Sequence, residues 1–164
     1  MTSIFLLILL IILVILSGFL SGSETAITAT SKARILYKKK KGSKRAGYVL
    51  ELLDKKDNVI STLLLSNNLV NILASSLATA FFYDLFGVEG IFYATLIMTV
   101  VIVIFAEVLP KTYAINRPNR TALLISPIIY YLNKILFIFV FFINLIVRLI
   151  FRKNDNDIKN KDLQ

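Results

Sequence analysis

Chemistry in this sequence would have to come from polar residues set at helical spacing inside long apolar runs. Ser17, Ser21, Glu24 and Thr28 recur at i, i+4, i+7 and i+11, which is one face of a helix. Gly18 and Gly22 stand beside them, and Ser23 adds a further hydroxyl. Asn67, Asn68 and Asn71 fall within about one turn, flanked by Ser66, Ser75 and Ser76, and Asn68, Asn71 and Ser75 share a face. Glu107 interrupts a third apolar run and is followed by Val108-Leu109-Pro110-Lys111. Polar groups in hydrocarbon are costly, and those that stay there tend to mark ion paths or helix contacts. Hydroxyl, amide and carboxylate oxygens suit a hard cation such as Mg²⁺, which takes six oxygens at roughly 2.0–2.1 Å and gives up its water reluctantly. So few carboxylates match the charge of Mg²⁺ incompletely, which leaves Na⁺ as a competitor.

Each pattern also has a packing reading. Gly18 and Gly22 form a small-xxx-small pair that lets two helices approach, and asparagine amides join helices without binding any ion. Glu24 and Glu107 are not explained by packing. Pro110 has no N–H to donate and crowds the carbonyl of Ala106, so the helix should kink or widen there. That would free a carbonyl next to the Glu107 carboxylate. Lys111, one turn beyond, pairs with Glu107 or Glu24, or snorkels to the membrane surface.

Composition narrows the chemistry. The 164 residues contain neither Cys nor His, which removes thiolate and imidazole metal sites, disulfides and every His-based catalytic triad. Side chains must then bind any metal through oxygen. No nucleophile–base pair is visible, so no enzyme is expected. The excess of 19 Lys and Arg over 10 Asp and Glu is a topology signal rather than a nucleic-acid signal, because it is one-sided along the chain.

The elements that must position these residues are membrane helices. At 57% apolar and a mean hydropathy of +0.75, the chain exceeds the roughly 45–50% apolar content of soluble domains. Spans are predicted at about 4–29, 60–83 and 88–110, each near the ~20 residues needed to cross a hydrocarbon core. A secretory signal peptide would need a basic n-region, yet no Lys or Arg precedes Lys32. Ten basic residues lie in 32–56 and the remaining nine follow the third run. By the positive-inside rule the N-terminus is outside, while the 32–59 loop and the C-terminus are cytoplasmic. Residues 119–151 are apolar but broken at Ser126-Pro127 and Asn133-Lys134, and read as a juxtamembrane helical hairpin turning near Asn133-Lys134. The tail, 152–164, is polar. The fold class is therefore an all-α membrane protein of three transmembrane helices plus a juxtamembrane hairpin, forming one domain over 1–151.

Three segments carry a resemblance. Ser21-Gly22-Ser23-Glu24-Thr25-Ala26, Leu65-Ser66-Asn67-Asn68-Leu69-Val70-Asn71 and Glu107-Val108-Leu109-Pro110-Lys111-Thr112 resemble, in this order, the transmembrane domain of the CorC/cyclin M (CNNM) magnesium transporter family. The resemblance covers nearly the whole chain. It implies a homodimer in the lipid bilayer and Mg²⁺ export coupled to Na⁺ entry, with the ion held between three helices and facing the cytoplasm. Carried onto this sequence, the metal ligands are Ser21, Ser23, Asn68, Asn71 and Glu107, completed by backbone carbonyls. Gly22, Glu24, Pro110 and Lys111 are assigned to helix packing or gating. Ser66 stands where glycine is common. Members of the family usually continue into cytoplasmic CBS domains, whereas this chain stops soon after the hairpin, so nucleotide regulation is not expected from these residues.

Two functions follow as expectations. One is a transporter that takes Mg²⁺ from the cytoplasm and releases it when the helices rearrange. The other is a membrane Mg²⁺ sensor without transport of its own. Nucleic-acid binding by Lys38–Lys41 is not expected, since a basic segment beside anionic lipid already accounts for them.

Overall fold

A computed structural model describes residues 2–136, with side chains from residue 4 onward. Those residues are helical almost throughout. The first helix, α1 (Thr2–Ala29), follows from a long, mainly apolar run without proline. Two shorter helices come next, α2 (Lys32–Lys40) and α3 (Lys44–Asp54), where the sequence predicted a loop. Gly42 separates them at φ +87. Its N–H donates to Lys39 O at 2.9 Å and that of Ser43 to Lys38 O at 3.2 Å, the paired bonds that close a helix on a left-handed glycine. The signal for α3 was present in Ala46, Val49, Leu50 and Leu53, an i, i+3, i+4, i+7 stripe, but it lies among so many lysines that the segment reads as a solvated loop.

Helix α4 (Lys56–Phe86) is followed by a short 3₁₀ turn at Gly87–Glu89 and then α5 (Gly90–Val101). From there the helix passes into a π-helix, Ile102–Val108, and on into α6 (Leu109–Asn116). Two stretches are long and apolar enough to cross a membrane, Ile4–Ala29 and Lys56–Asn116. The second folds back on itself at Gly87, where φ is +63. Met98 of α5 consequently packs with Ala74 and Ala78 of α4 and Leu10 of α1. Gly90 is needed at this turn because a Cβ there would overlap the carbonyl of Phe82.

Only 28% and 17% of the best apolar windows in these two stretches is buried. The helix interior of a soluble fold would be mostly buried. Here side chains such as Ile4, Phe5, Ile15, Leu69, Ile72 and Phe92 are exposed, which is stable only in an apolar solvent.

The other end of the molecule has its own core. Residues 118–136 form α7, opened by Pro118 at the first helical position, where a missing N–H costs nothing. Its Ala122, Ile125 and Ile129 pack with Ile35, Val49 and Leu52 of the α2–α3 pair and with Ile27 and Val59 at the bases of α1 and α4. The rings of Tyr48 and Tyr130 pack at a tilt of 49° with their centroids 5.1 Å apart. A hydrogen bond with Tyr131, and its charge, raise the pKa of Tyr48 above the usual tyrosine value. The turn predicted near Asn133-Lys134 is not there, because α7 runs straight through both residues. Asn133 is a tertiary contact instead, its Oδ1 accepting a 2.9 Å hydrogen bond from Thr62 of α4. The second arm of the predicted hairpin and the polar tail lie outside the described residues.

Candidate metal centre

The polar face of α1 meets α4 halfway along both helices. Ser17 is fully buried, and its Oγ lies 2.7 Å from Asn67 Oδ1 and 2.6 Å from Asn71 Oδ1. A hydroxyl has one proton and donates to one oxygen only. The second short contact therefore requires an amide turned to present its NH₂. Asn67 and Asn71 are four residues apart and so project from one face of α4. Asn67 is buried and Asn71 half-buried.

One turn along α1, Ser21 is also fully buried, and its Oγ has no hydrogen-bond partner. It is the one such side-chain atom among the described residues. An unpaired buried hydroxyl costs roughly 1–3 kcal/mol, so Ser21 stands ready for a ligand that satisfies it. Ser23 is buried too, but its hydroxyl donates to Phe19 O at 2.6 Å, leaving only lone pairs to offer.

The third wall is the π-helix. Leu109 N–H bonds to Ile104 O, five residues back, so the wider turn expected at Pro110 is present and carries Glu107. Pro110 can donate to neither Ala106 at α spacing nor Phe105 at π spacing. The Phe105 carbonyl faces α1, where a Cβ on Gly18 would lie 3.1 Å from its oxygen and 3.2 Å from Pro110 Cγ. A Cβ on Gly22 would sit 3.3 Å from both Pro110 Cβ and Pro110 O. Both glycines therefore have the packing role, bringing α1 onto the bulge and setting a loosened carbonyl near the serine face.

The remaining predicted residues are placed as follows. Asn68 is exposed and takes no part in the Ser17 group, whereas Asn67, its neighbour, does. Glu24, Glu107 and Lys111 are half-buried. Lys32 and Asp54 form an ion pair at 2.7 Å, with both side chains well exposed, and no ion pair among the described residues joins Lys111 to Glu107 or Glu24. No hydrogen bond among the described residues joins Glu107 to Ser17, Ser21 or the asparagines. No cluster of three or more acidic residues is found among them either. The site thus combines hydroxyl and amide oxygens, with the Phe105 carbonyl close to α1 beside them. Ser17 and Asn67 belong to it geometrically although the motif reading left them out. Their i, i+4 relation to Ser21 and Asn71 was the available signal.

A family model described as the cyclin M transmembrane N-terminal domain matches residues 8–164. The chain is 41% identical over 137 residues to the UPF0053 inner membrane protein YfjD of Escherichia coli, covering 84% of this chain and 32% of that protein. It is 36% identical over 143 residues to a UPF0053 protein of Haemophilus influenzae, covering 87% and 34%. A chloroplastic DUF21 domain-containing protein of Arabidopsis thaliana, At1g55930, is 32% identical over 124 residues, covering 74% and 18%. The chain spans about a third of the length of the first two relatives.

Proposed function

The chain belongs to the cyclin M transmembrane N-terminal domain family, and on that premise we propose that it is the ion-carrying part of a Mg²⁺ transporter. The observation that carries this reading is the convergence of Ser17 Oγ with the side-chain oxygens of Asn67 and Asn71, one turn from the unpartnered, buried hydroxyl of Ser21. Mg²⁺ would be bound by Ser21, Asn67, Asn71 and Glu107, with the Phe105 carbonyl and Ser23 within the same region. Asn67 replaces Asn68 in this assignment because it faces α1. Glu107 supplies the negative charge, and neutral oxygens supply the rest of the shell.

In this reading the fold crosses the bilayer three times, by α1, by α4 and by the α5–π–α6 helix, with the N-terminus outside and the C-terminus cytoplasmic. The lysine-rich α2–α3 pair lies at the cytoplasmic face. The protein works as a homodimer in the cell membrane and exports Mg²⁺, with Na⁺ entry supplying the driving force. The π-helix is the natural hinge, since π turns and proline both weaken the local hydrogen-bond ladder. No catalytic role is assigned to any residue.

The test is calorimetric titration of the detergent-solubilised protein with Mg²⁺, repeated with Glu107→Ala and with excess Na⁺, followed by flux in proteoliposomes. Saturable binding lost in Glu107→Ala, together with flux, is the expected result. Binding without flux would make the domain a Mg²⁺ sensor, and wild-type binding retained by Glu107→Ala would remove Glu107 from the site.

A further inference from the structure

A cleft of about 430 Å³ lies at the end of the molecule that carries α2 and α3, walled by α3, the start of α4 and α7. Its volume falls in the range of roughly 300–1,000 Å³ typical of small-molecule sites. Glu51, Lys55 and Lys134 bring both signs of charge to it, Asn58 and Asn133 bring amides, and Tyr130 brings a ring. Asn133 is seated against Thr62 at 2.9 Å, while the three charged side chains are exposed. Glu51 and Lys55 stand one helical turn apart in sequence, yet no ion pair among the described residues joins Glu51 to Lys55 or Lys134. The cleft thus offers two cations and one anion to a ligand that carries the opposite charges.

Its depth identifies the medium around it. The apolar run of α4 begins at Ile60, so Asn58 and Lys55 stand roughly 3–8 Å outside it at about 1.5 Å per residue. The headgroup layer on each side of the hydrocarbon is about 5–7 Å deep. Lipid chains also reach the cleft from the side. Leu124, Ile128, Tyr131 and Ile135 are exposed, and their spacing places them on one face of α7, turned away from the buried Ala122, Ile125 and Ile129. An apolar stripe left outside the core at this depth is stable against acyl chains. Tyr131 and Ile135 directly follow Tyr130 and Lys134 of the cleft.

We propose that this cleft binds the headgroup of a phosphoethanolamine lipid. The phosphate is held by Lys55 and Lys134, the ammonium by the Glu51 carboxylate beside the Tyr130 ring, and the acyl chains lie along the α7 stripe. A purely anionic headgroup would satisfy the lysines but set its charge against Glu51. The site takes a lipid rather than the transported ion, and so is independent of the transport reading.

Native mass spectrometry of the purified full chain, with lipids added in detergent, tests the site. Phosphatidylethanolamine should be retained about fivefold more tightly than phosphatidylglycerol, the worth of one ionic contact near a membrane surface. Glu51→Gln should erase that preference. Lys55→Gln and Lys134→Gln should each weaken retention of both lipids about fivefold, while Lys38→Gln, at an exposed lysine outside the cleft, should change neither. Glycerophosphoethanolamine, the same headgroup without its chains, should not bind at millimolar concentration; binding there would make the ligand a soluble phosphodiester and overturn the lipid assignment. Equal or tighter retention of phosphatidylglycerol by the wild type, or lysine variants that retain both lipids normally, would overturn the proposal. None of these readouts involves Mg²⁺, so their failure would leave the transport reading untouched.

Discussion

Gly18→Ala tests how closely α1 is seated on the π-helix. The new methyl would lie 3.1 Å from Phe105 O, 3.2 Å from Pro110 Cγ and 3.7 Å from Ala106 Cα. Comfortable contacts begin at about 3.5 Å, so one element has to yield by a few tenths of an ångström. Neither close neighbour is the tip of a flexible side chain: one is a backbone carbonyl and the other a proline ring. Overpacking of this kind costs about 1–3 kcal/mol. Exchanging glycine for alanine in an unhindered helix gains about 0.5–1 kcal/mol. The net expectation is a loss of roughly 0–2.5 kcal/mol. Gly47 in α3 provides the control, because a Cβ there meets nothing within 4 Å, and Gly47→Ala should gain stability by the same helical term. Subtracting one variant from the other isolates the steric cost, about 1–3 kcal/mol. At about 2–4 °C per kcal/mol for a chain of this size, the two should melt roughly 2–12 °C apart. Circular dichroism in a single detergent is the assay. Because α1 carries Ser17 and Ser21, Mg²⁺ affinity should fall in Gly18→Ala and not in Gly47→Ala. If Gly18→Ala melts with Gly47→Ala or above it, the close approach is wrong and so is the carbonyl placement built on it.

Asn67→Ala should weaken Mg²⁺ binding by about 10–100-fold, the worth of one neutral oxygen on a charged partner, whereas Asn68→Ala should leave calorimetric affinity within about twofold; the reverse order would return Asn68 to the site. Gly90→Ala forces a methyl into the carbonyl of Phe82 and should cost more than Gly18→Ala, about 3 kcal/mol or more. Thermal unfolding checks it, and a wild-type melting temperature would mean that the α4–α5 turn is more open than described. Lys38→Ala removes an exposed charge from α2 and should leave Mg²⁺ binding unchanged; a large loss would draw the basic helices into the site.

The membrane character, the helical class and the oxygen-only chemistry are consequences of composition and period, and the sequence by itself determined them. Long apolar runs demand an apolar solvent whatever the fold, and a chain without Cys or His leaves oxygen as the donor to any metal. The widening at Pro110 was legible for the same reason, since a missing N–H acts locally. Which asparagine faces α1 was not legible. Asn67 and Asn68 differ by about 100° around the helix axis, and Asn71 is compatible with either, so only the rotation of α4 against α1 chose Asn67. That rotation is set by packing along the whole α1–α4 interface, including Leu10 against Ala74 and Ala78. Asn133 gives the converse case. Its type and its neighbour Lys134 look like a turn, yet α7 runs through both, seated by Ala122, Ile125 and Ile129 in the core, and brings Asn133 within 2.9 Å of Thr62, 71 residues away in sequence. Local patterns dictate what each segment buries and what it would cost to expose. Partners distant in the chain decide which of several equivalent faces is turned inward, because that choice depends on the sum of contacts made only when the helices meet.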